Sequence, residues 1–495
     1  MERYTEGIDV RILNRVYEPI PANEVKIIEG FNEIGSEIHI NSGIGFERKQ
    51  PFVTVSFVPI RKNELTRSYE RLISFDIEII PGQEGQQENP YKSSTYKQSS
   101  VLAQGNWRKV SVSNTGIYKI TYQEFKDMGI DVDNINPKNI RIYGNGGGML
   151  PENPTTPRYD DLQENAIFVY GEEDGTFNSG DYVLFYGMSP NIWNYNSAQK
   201  RLYKSMHLYS DYNFYFITTD LGAGKRIQMQ QSPTLEPTFS SNKFTEGYHH
   251  ELDEKNLIGT GRVWFGETFD LTTTMIESIS FPYLDKNYKV YLAADVAAKS
   301  DIGSSFSFEV NNQNVMNISI PPTNSSNINS DYAKAKFDST SFFLNSSDLT
   351  LKIVYNKPLN SSTGWLNYFT LNVVRDLSFV PGQMAFRDLR TAGQAFITQY
   401  TLSKVTSNVI IWDVTDPTNV SSVSTTNGNN QLTFKVESNG LNEFLAFDGT
   451  SYYSVYDEGN VSNQTHGLGT YEMIILTHPN FTNQARASRR FPYQS

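Results

Sequence analysis

The sequence predicts a mostly β, multi-domain protein made of antiparallel β-sandwich or jelly-roll-like modules with few short helices. Three observations carry that expectation. Aromatic residues make up 13%, with 30 Tyr and 30 Phe, while charged residues make up only 19%, a balance that suits pleated, half-buried strands in extracytoplasmic modules. Apolar residues alternate at period two in segment after segment, with Asn, Ser and Gly clusters between the runs. The 495 residues exceed what a single core fills, and the length alone suggests about three or four domains.

Residues 1–90 read as an N-terminal β domain that enters a strand almost at once, as though an earlier strand preceded it. VTVSFVPI and RLISFDIEII alternate cleanly. Gly82–Ser100 is polar, aperiodic and Gly- and Ser-bearing, and reads as a linker. Residues 91–240 form a mixed, mostly-β module. In it Ile117, Lys119 and Thr121 share one strand face and Tyr118 and Ile120 the other. Thr121 and Glu124 have capping-box spacing for one short helix, and Gly129 sits where a left-handed C-terminal residue is needed. Tyr212, Phe214 and Phe216 alternate with Asn213, Tyr215 and Ile217, giving a strand apolar on both faces and therefore central.

Residues 241–380 read as a β-sandwich, with SISFPYL, KVYLAADVAA, SFSFEV, LTLKIVYN and WLNYFTLNVV as strands. His249–Asn256 is expected to form a short helix before it. Residues 381–465 give a small β module containing AFITQY, NVIIWDV, QLTFKVES and NEFLAFDG. Residues 466–495 change character. YEMIIL is a continuous apolar run of the parallel-sheet kind, and Thr477 with Pro479 predicts an N-cap and a helix over PNFTNQARASRR. This strand and helix read as the first β-α unit of an α/β domain, truncated. No repeat of fixed period is present.

A net charge of −12 argues against general nucleic-acid binding, which needs a basic face to displace phosphate counterions. Cysteine is absent, so these residues hold no disulfide, thiolate metal site or cysteine nucleophile. No stretch reaches the ~20 apolar residues of a membrane helix, and Met1–Ile20 lacks the apolar core and cleavage site of a signal peptide. The signal of an exported chain would lie outside the sequence shown, or the start codon would be misassigned.

Candidate chemistry is sparse. The run Gly144–Gly148 follows a strand, but Met149 stands at the third glycine of a dinucleotide loop and Pro151 blocks the helix start, so a tight turn is expected. Gly222–Arg226 has Thr219 in place of the first P-loop glycine. Glu172, Glu173, Asp174, Asn178 and Asp181 offer hard oxygen ligands for calcium on a turn, without the spacing of the twelve-residue EF-hand loop; an acidic hairpin turn is the plainer reading. Asp131–Asn136 lacks the central glycine. His249, His250 and Glu251 are not the zincin HExxH, and a solvated helix start accounts for them. Trp193, Tyr195 and Trp365 could stack on sugar rings, against the commoner core or edge packing. The sequon at Asn317 carries little meaning. No GxSxG elbow or Ser/His/Asp set stands out, and no catalytic, cofactor or metal residue is assigned.

Several segments nevertheless resemble one family in a colinear order. Gln50–Asn63 (QPFVTVSFVPIRKN), GNWRKVSVSNTGIYKITYQEFKDMGI, NPKNIRIYGNGGG, DGTFNSGDYVLFYG, Leu257–Asp270 (LIGTGRVWFGETFD) and Thr465–Phe481 (THGLGTYEMIILTHPNF) are similar to the region upstream of the catalytic domain in the PorU-type sortases of the bacterial type IX secretion system, which are gingipain-type cysteine peptidases. The resemblance runs along most of the chain. It implies that the complete enzyme removes the C-terminal sorting domain from secreted cargo through a thioester and passes the acyl group to an anionic lipopolysaccharide or to water. It also implies an outer-membrane, cell-surface location and a PorV-like barrel protein as partner. His466 and His478 would fall in an entry segment and at a strand end, not at the catalytic histidine. The chain departs from the family in having no cysteine and in stopping near the start of the peptidase domain, as a gene fragment or frameshift would. The chain itself is therefore expected to scaffold or dock and to be catalytically inactive. A cell-surface adhesin or carbohydrate-binding protein is the alternative, and a calcium-dependent structural module a third.

Overall fold

A computed structural model describes residues 9–21, 24–25, 34–38, 40–47, 50–63, 66, 68–80, 99–153, 155–259, 261–393, 396–405, 408–464 and 474–488. The protein is mostly β and multi-domain, with antiparallel sheets dominant and few helices. The chain divides into two units, Met1–Tyr96 and Lys97–Ser495.

In the first unit Tyr69–Ile80 lies between Asp9–Pro19 and Ile60–Lys62, and Ile40–Glu47 pairs antiparallel with Gln50–Phe57. The register of Asp9–Pro19 slips between Leu13 and Val16, beside Asn14 at φ 48°, as a β-bulge does. Its described core is small: Ile12, Ile38 and Leu72.

Among the described residues, four sheets of the second unit stack on one another. The first layer has the order Tyr456–Val461, Trp107–Val112, Asn213–Thr218, Arg141–Tyr143, Glu164–Asn165, so the strand with two apolar faces is central, as its pattern requires. The second layer is Phe168–Tyr170, Tyr182–Gly187, Gly116–Thr121. Val110, Tyr215 and Ile217 meet Ile120, Val183 and Phe185 between them, with Phe125 from the helix Tyr122–Asp127. That helix has the expected capping box, and Gly129 has φ +79°. The third layer contains Ile410–Asp413, Phe444–Phe447 and Gln383–Phe386, and the fourth Phe396–Ser403 and Gln431–Ser438. Ile117, Leu184 and Tyr186 pack on Trp412, Leu445 and Phe447 between layers two and three. Phe386, Phe444 and Ala446 pack on Tyr400, Phe434 and Val436 between layers three and four.

Blocks read from the sequence as successive modules thus exchange strands. Tyr456–Val461 completes the sheet of Trp107–Val112, with Arg108 Nε donating to Asp457 at 2.6 Å. Gln228–Gln230 and Phe239–Ser241 leave the 91–240 block to pair in parallel with Ser421–Val423 and Phe396–Ser403. Such pairings join residues far apart in sequence, and strand periodicity carries no information about partners.

Beside the stack, the sheet Lys243–Glu251, Thr363–Asp376, Lys289–Lys299, Lys334–Phe343 faces the sheet Thr274–Ser280, Asp348–Asn356, Ser304–Val310, Gln313–Ile320. Leu292, Phe306, Phe308, Leu351 and Phe369 fill the antiparallel sandwich between them.

Two local expectations are corrected. His249–Glu251 belong to the strand Lys243–Glu251, not to a helix, because Gly247, Tyr248, His249 and His250 pair with Asn372, Leu371, Thr370 and Phe369, where the His250 ring stacks on Phe369. Of YEMIIL, Tyr471–Met473 fall outside the described residues. Ile474 and Leu476 are exposed, and no described strand pairs with Ile474–Leu476. Much of the β-α unit expected over residues 466–495 therefore lies outside the described residues. The helix Thr482–Ser488 is present behind a 3-10 turn, Pro479–Phe481. The cap of that turn is His478, whose ring accepts from the Asn480 N–H, rather than Thr477.

Candidate functional site

A cleft lies where the stack meets the sandwich. The hairpin Ile192–Asn196/Arg201–Ser205 lies over the outer face of the sandwich, fixed by the Asn372 amide, which accepts from Leu202 N–H at 2.7 Å and donates to its carbonyl at 3.0 Å. Trp193 on this hairpin presses on Gly247, where a Cβ would lie 2.6 Å from the indole ring. Lys204, directly opposite Trp193 in the hairpin, carries its ammonium 5.1 Å from the indole centroid. Together with Phe244, Thr245 and Arg387 these residues line a cavity of about 310 Å³.

The cleft is unevenly charged. Glu246 is engaged by Arg375 at 2.5 Å. Glu443 faces Arg387 Nε at 3.4 Å. Lys204 has no hydrogen-bond or ion-pair partner among the described residues. Burial, and then the nearby Arg387 guanidinium, push its ammonium down to about 8.

Alongside, Thr370, His249 and Glu251 form a relay: the His249 ring bridges the Thr370 hydroxyl and the Glu251 carboxylate, each at 2.8 Å. The order resembles a nucleophile, base and orienter. Thr370 is only 4% exposed, so no substrate carbonyl reaches its hydroxyl, and the relay ties two strands together. His250 is bonded to Glu267 at 2.7 Å, which raises the pKa of its ring.

The other sequence candidates fall into structural roles. Gly144–Gly148 makes a turn, with Gly146 and Gly148 at φ +77° and +84°, and no helix follows. It borders a second cavity of about 690 Å³ with Pro151, Tyr159 and Phe214. In the acidic turn Glu172 accepts from Arg226 at 2.8 Å, Asp174 from the Thr176 N–H and hydroxyl at 2.9 Å, and Asp181 from Asn178 N–H at 2.6 Å. Glu173 is exposed on the same turn. Glu172, Asp174 and Asp181 thus bond protein donors, and among the described residues no three His, Asp or Glu side chains gather for a metal. Within Asp131–Asn136, Asp133 binds Lys126 and Tyr122. Arg226 of the Gly222–Arg226 segment is the Glu172 partner. Trp365 is a core residue at 6% exposed, Trp193 is wedged on Gly247, and Tyr195 is half-buried in the hairpin. His466 lies outside the described residues.

Sequence reasoning singled out Trp193 but not Lys204 or Arg387. RLYKS reads only as a strand, and nothing in a linear pattern brings Arg387 beside it.

No protein-family model matches the sequence, and no curated protein does. Among solved structures, dimeric latent PorU from Porphyromonas gingivalis is similar at a TM-score of 0.64 and 20% identity, over 76% of this chain and 35% of that one. The protein shares its fold with part of PorU and spans about a third of that protein's length. A carbohydrate-binding module, CBM36 in complex with calcium and xylotriose, is matched at a TM-score of 0.18 with 6% identity, over 25% of this chain and 87% of that one. The Bacillus thuringiensis delta-endotoxin Cry8Ea1 gives 0.19 with 10% identity, over 75% and 60%. Scores at that level establish no common fold. No helix among the described residues is long and apolar enough to cross a membrane.

Proposed function

We propose that this chain is the pre-catalytic, N-terminal region of a PorU-type sortase of the type IX secretion system, serving as a scaffold at the outer cell surface. The fold shared with PorU over 76% of the chain is the observation that supports this reading. The colinear sequence segments point the same way. In the complete enzyme a cysteine–histidine pair elsewhere would cleave the sorting domain from cargo through a thioester. These residues contain no cysteine, and the relay at His249 buries its hydroxyl, so the chain alone is catalytically silent. Its role is to hold the peptidase domain, cargo or a PorV-like barrel partner in place.

The gene beyond the Ser495 codon tests the proposal. Continuation in any frame into a Cys/His peptidase domain supports it. Unrelated sequence there, together with saturable binding of the chain on a glycan array, overturns it in favour of a carbohydrate-binding protein. Purified chain is expected to give no thiol-reagent-sensitive turnover of a fluorogenic peptide.

A further inference from the structure

The junction cleft holds two cations whose hydrogen-bonding capacity is unspent. Lys204 is half-buried and touches the Trp193 ring, with no acceptor among the described residues. Arg387, 14% exposed at its side chain, meets Glu443 through Nε at 3.4 Å, and its two terminal nitrogens have no hydrogen-bond acceptor among the described residues. The other acid in the cleft, Glu246, is taken by Arg375. With Glu246 paired to Arg375 and Glu443 to Arg387, Lys204 is the charged group of the cleft lining without a counter-ion among the described residues. The Lys204 ammonium and the Arg387 terminal nitrogens keep contact with solvent in the cleft and are free to meet an acceptor there. A guanidinium and an ammonium lining one small cavity form a donor set of the kind that suits an oxyanion, since a guanidinium can offer two parallel N–H groups and an ammonium a point charge.

We propose that the cleft between the Ile192–Ser205 hairpin and Arg387 is a binding site for a small oxyanion, a carboxylate or phosphoryl group held between Lys204 and Arg387. Met188, Ile192 and Phe244 supply an apolar wall for the body that carries the charge. The volume of about 310 Å³ is at the lower end for ligand pockets, which limits the bound part to a small headgroup. The site spans the stack and the sandwich, so an occupant would also brace the hairpin against both. This inference does not depend on the sortase reading.

The test uses the whole chain and acetylation by an N-hydroxysuccinimide ester, resolved by residue with mass spectrometry. Only the neutral amine reacts. A bound anion that raises the Lys204 pKa by one unit lowers its labelling about tenfold, while exposed Lys336 is unchanged. Inorganic phosphate and acetate are titrated separately, with sodium chloride at matched ionic strength as control. Saturable protection by phosphate assigns a phosphoryl group and protection by acetate a carboxylate; either supports the site. Arg387→Gln is expected to raise the half-protecting concentration about tenfold or more. Arg387→Lys, which keeps the charge but loses the fork, gives a second reading should the Gln variant unfold, and weakens protection in the same direction. Protection absent with both anions, matched by chloride, or indifferent to Arg387 would overturn the proposal.

Discussion

Two strands rich in apolar residues lead opposite lives in this protein. Tyr69–Ile80 places Ile73, Phe75, Ile77 and Ile79 on one face at every second residue, and they are 51%, 37%, 43% and 46% exposed. Phe444–Phe447 is apolar at each position and buried at each, because the stack supplies a sheet on both sides. An apolar alternation states that a face can be buried. Whether it is depends on layers that other parts of the chain provide.

The comparison is open to direct attack. Phe444→Ala removes a ring buried between layers three and four and should destabilise the second unit by about 3–5 kcal/mol, read as a shift of its calorimetric transition. Ile77→Ala, on the exposed face, should move the first unit's transition by no more than about 1 kcal/mol. Equal effects would show that the Ile73–Ile79 face is covered in solution and would break the contrast.

A close approach between layers is tested next. Gly247→Val puts side-chain atoms into the Trp193 ring and should cost about 1–3 kcal/mol through overpacking. Proteolysis within the 197–200 hairpin loop should accelerate, because the hairpin must lift. Unchanged cleavage would mean that Trp193 does not hold the hairpin to the sandwich.

The smallest effect concerns pH. The bond to Glu267 raises the folded-state pKa of His250, with burial opposing. The contribution is present below the unfolded pKa of about 6.5 and is lost as pH rises through the raised folded value. Solvent screening of this partly exposed pair keeps it small. His250→Gln should flatten the stability profile across that window, and an unaltered slope would show that the pair does not titrate with folding.

Much of the local structure was legible beforehand. The capping box of Thr121 and Glu124, the left-handed Gly129, the central strand at Tyr215 and the turn at Gly144–Gly148 all follow from short-range stereochemistry, which a single sequence displays directly. Readings failed where a distant segment decided the matter. His249–Glu251 look like a polar helix start until Thr370 and Phe369 arrive opposite them. Lys204 and Arg387 belong to different blocks of the chain and share a cleft only because the hairpin folds across the sandwich.

That this is a chain of strands, where its turns and its principal short helix fall, and that no thiol chemistry resides in it follow from residue type and near neighbours alone. Which strands pair, which apolar faces are covered and which charges meet follow from the folded arrangement. Those outcomes rest on contacts between residues hundreds of positions apart, such as Arg108 with Asp457, and period-two patterning is the same whatever strand lies alongside.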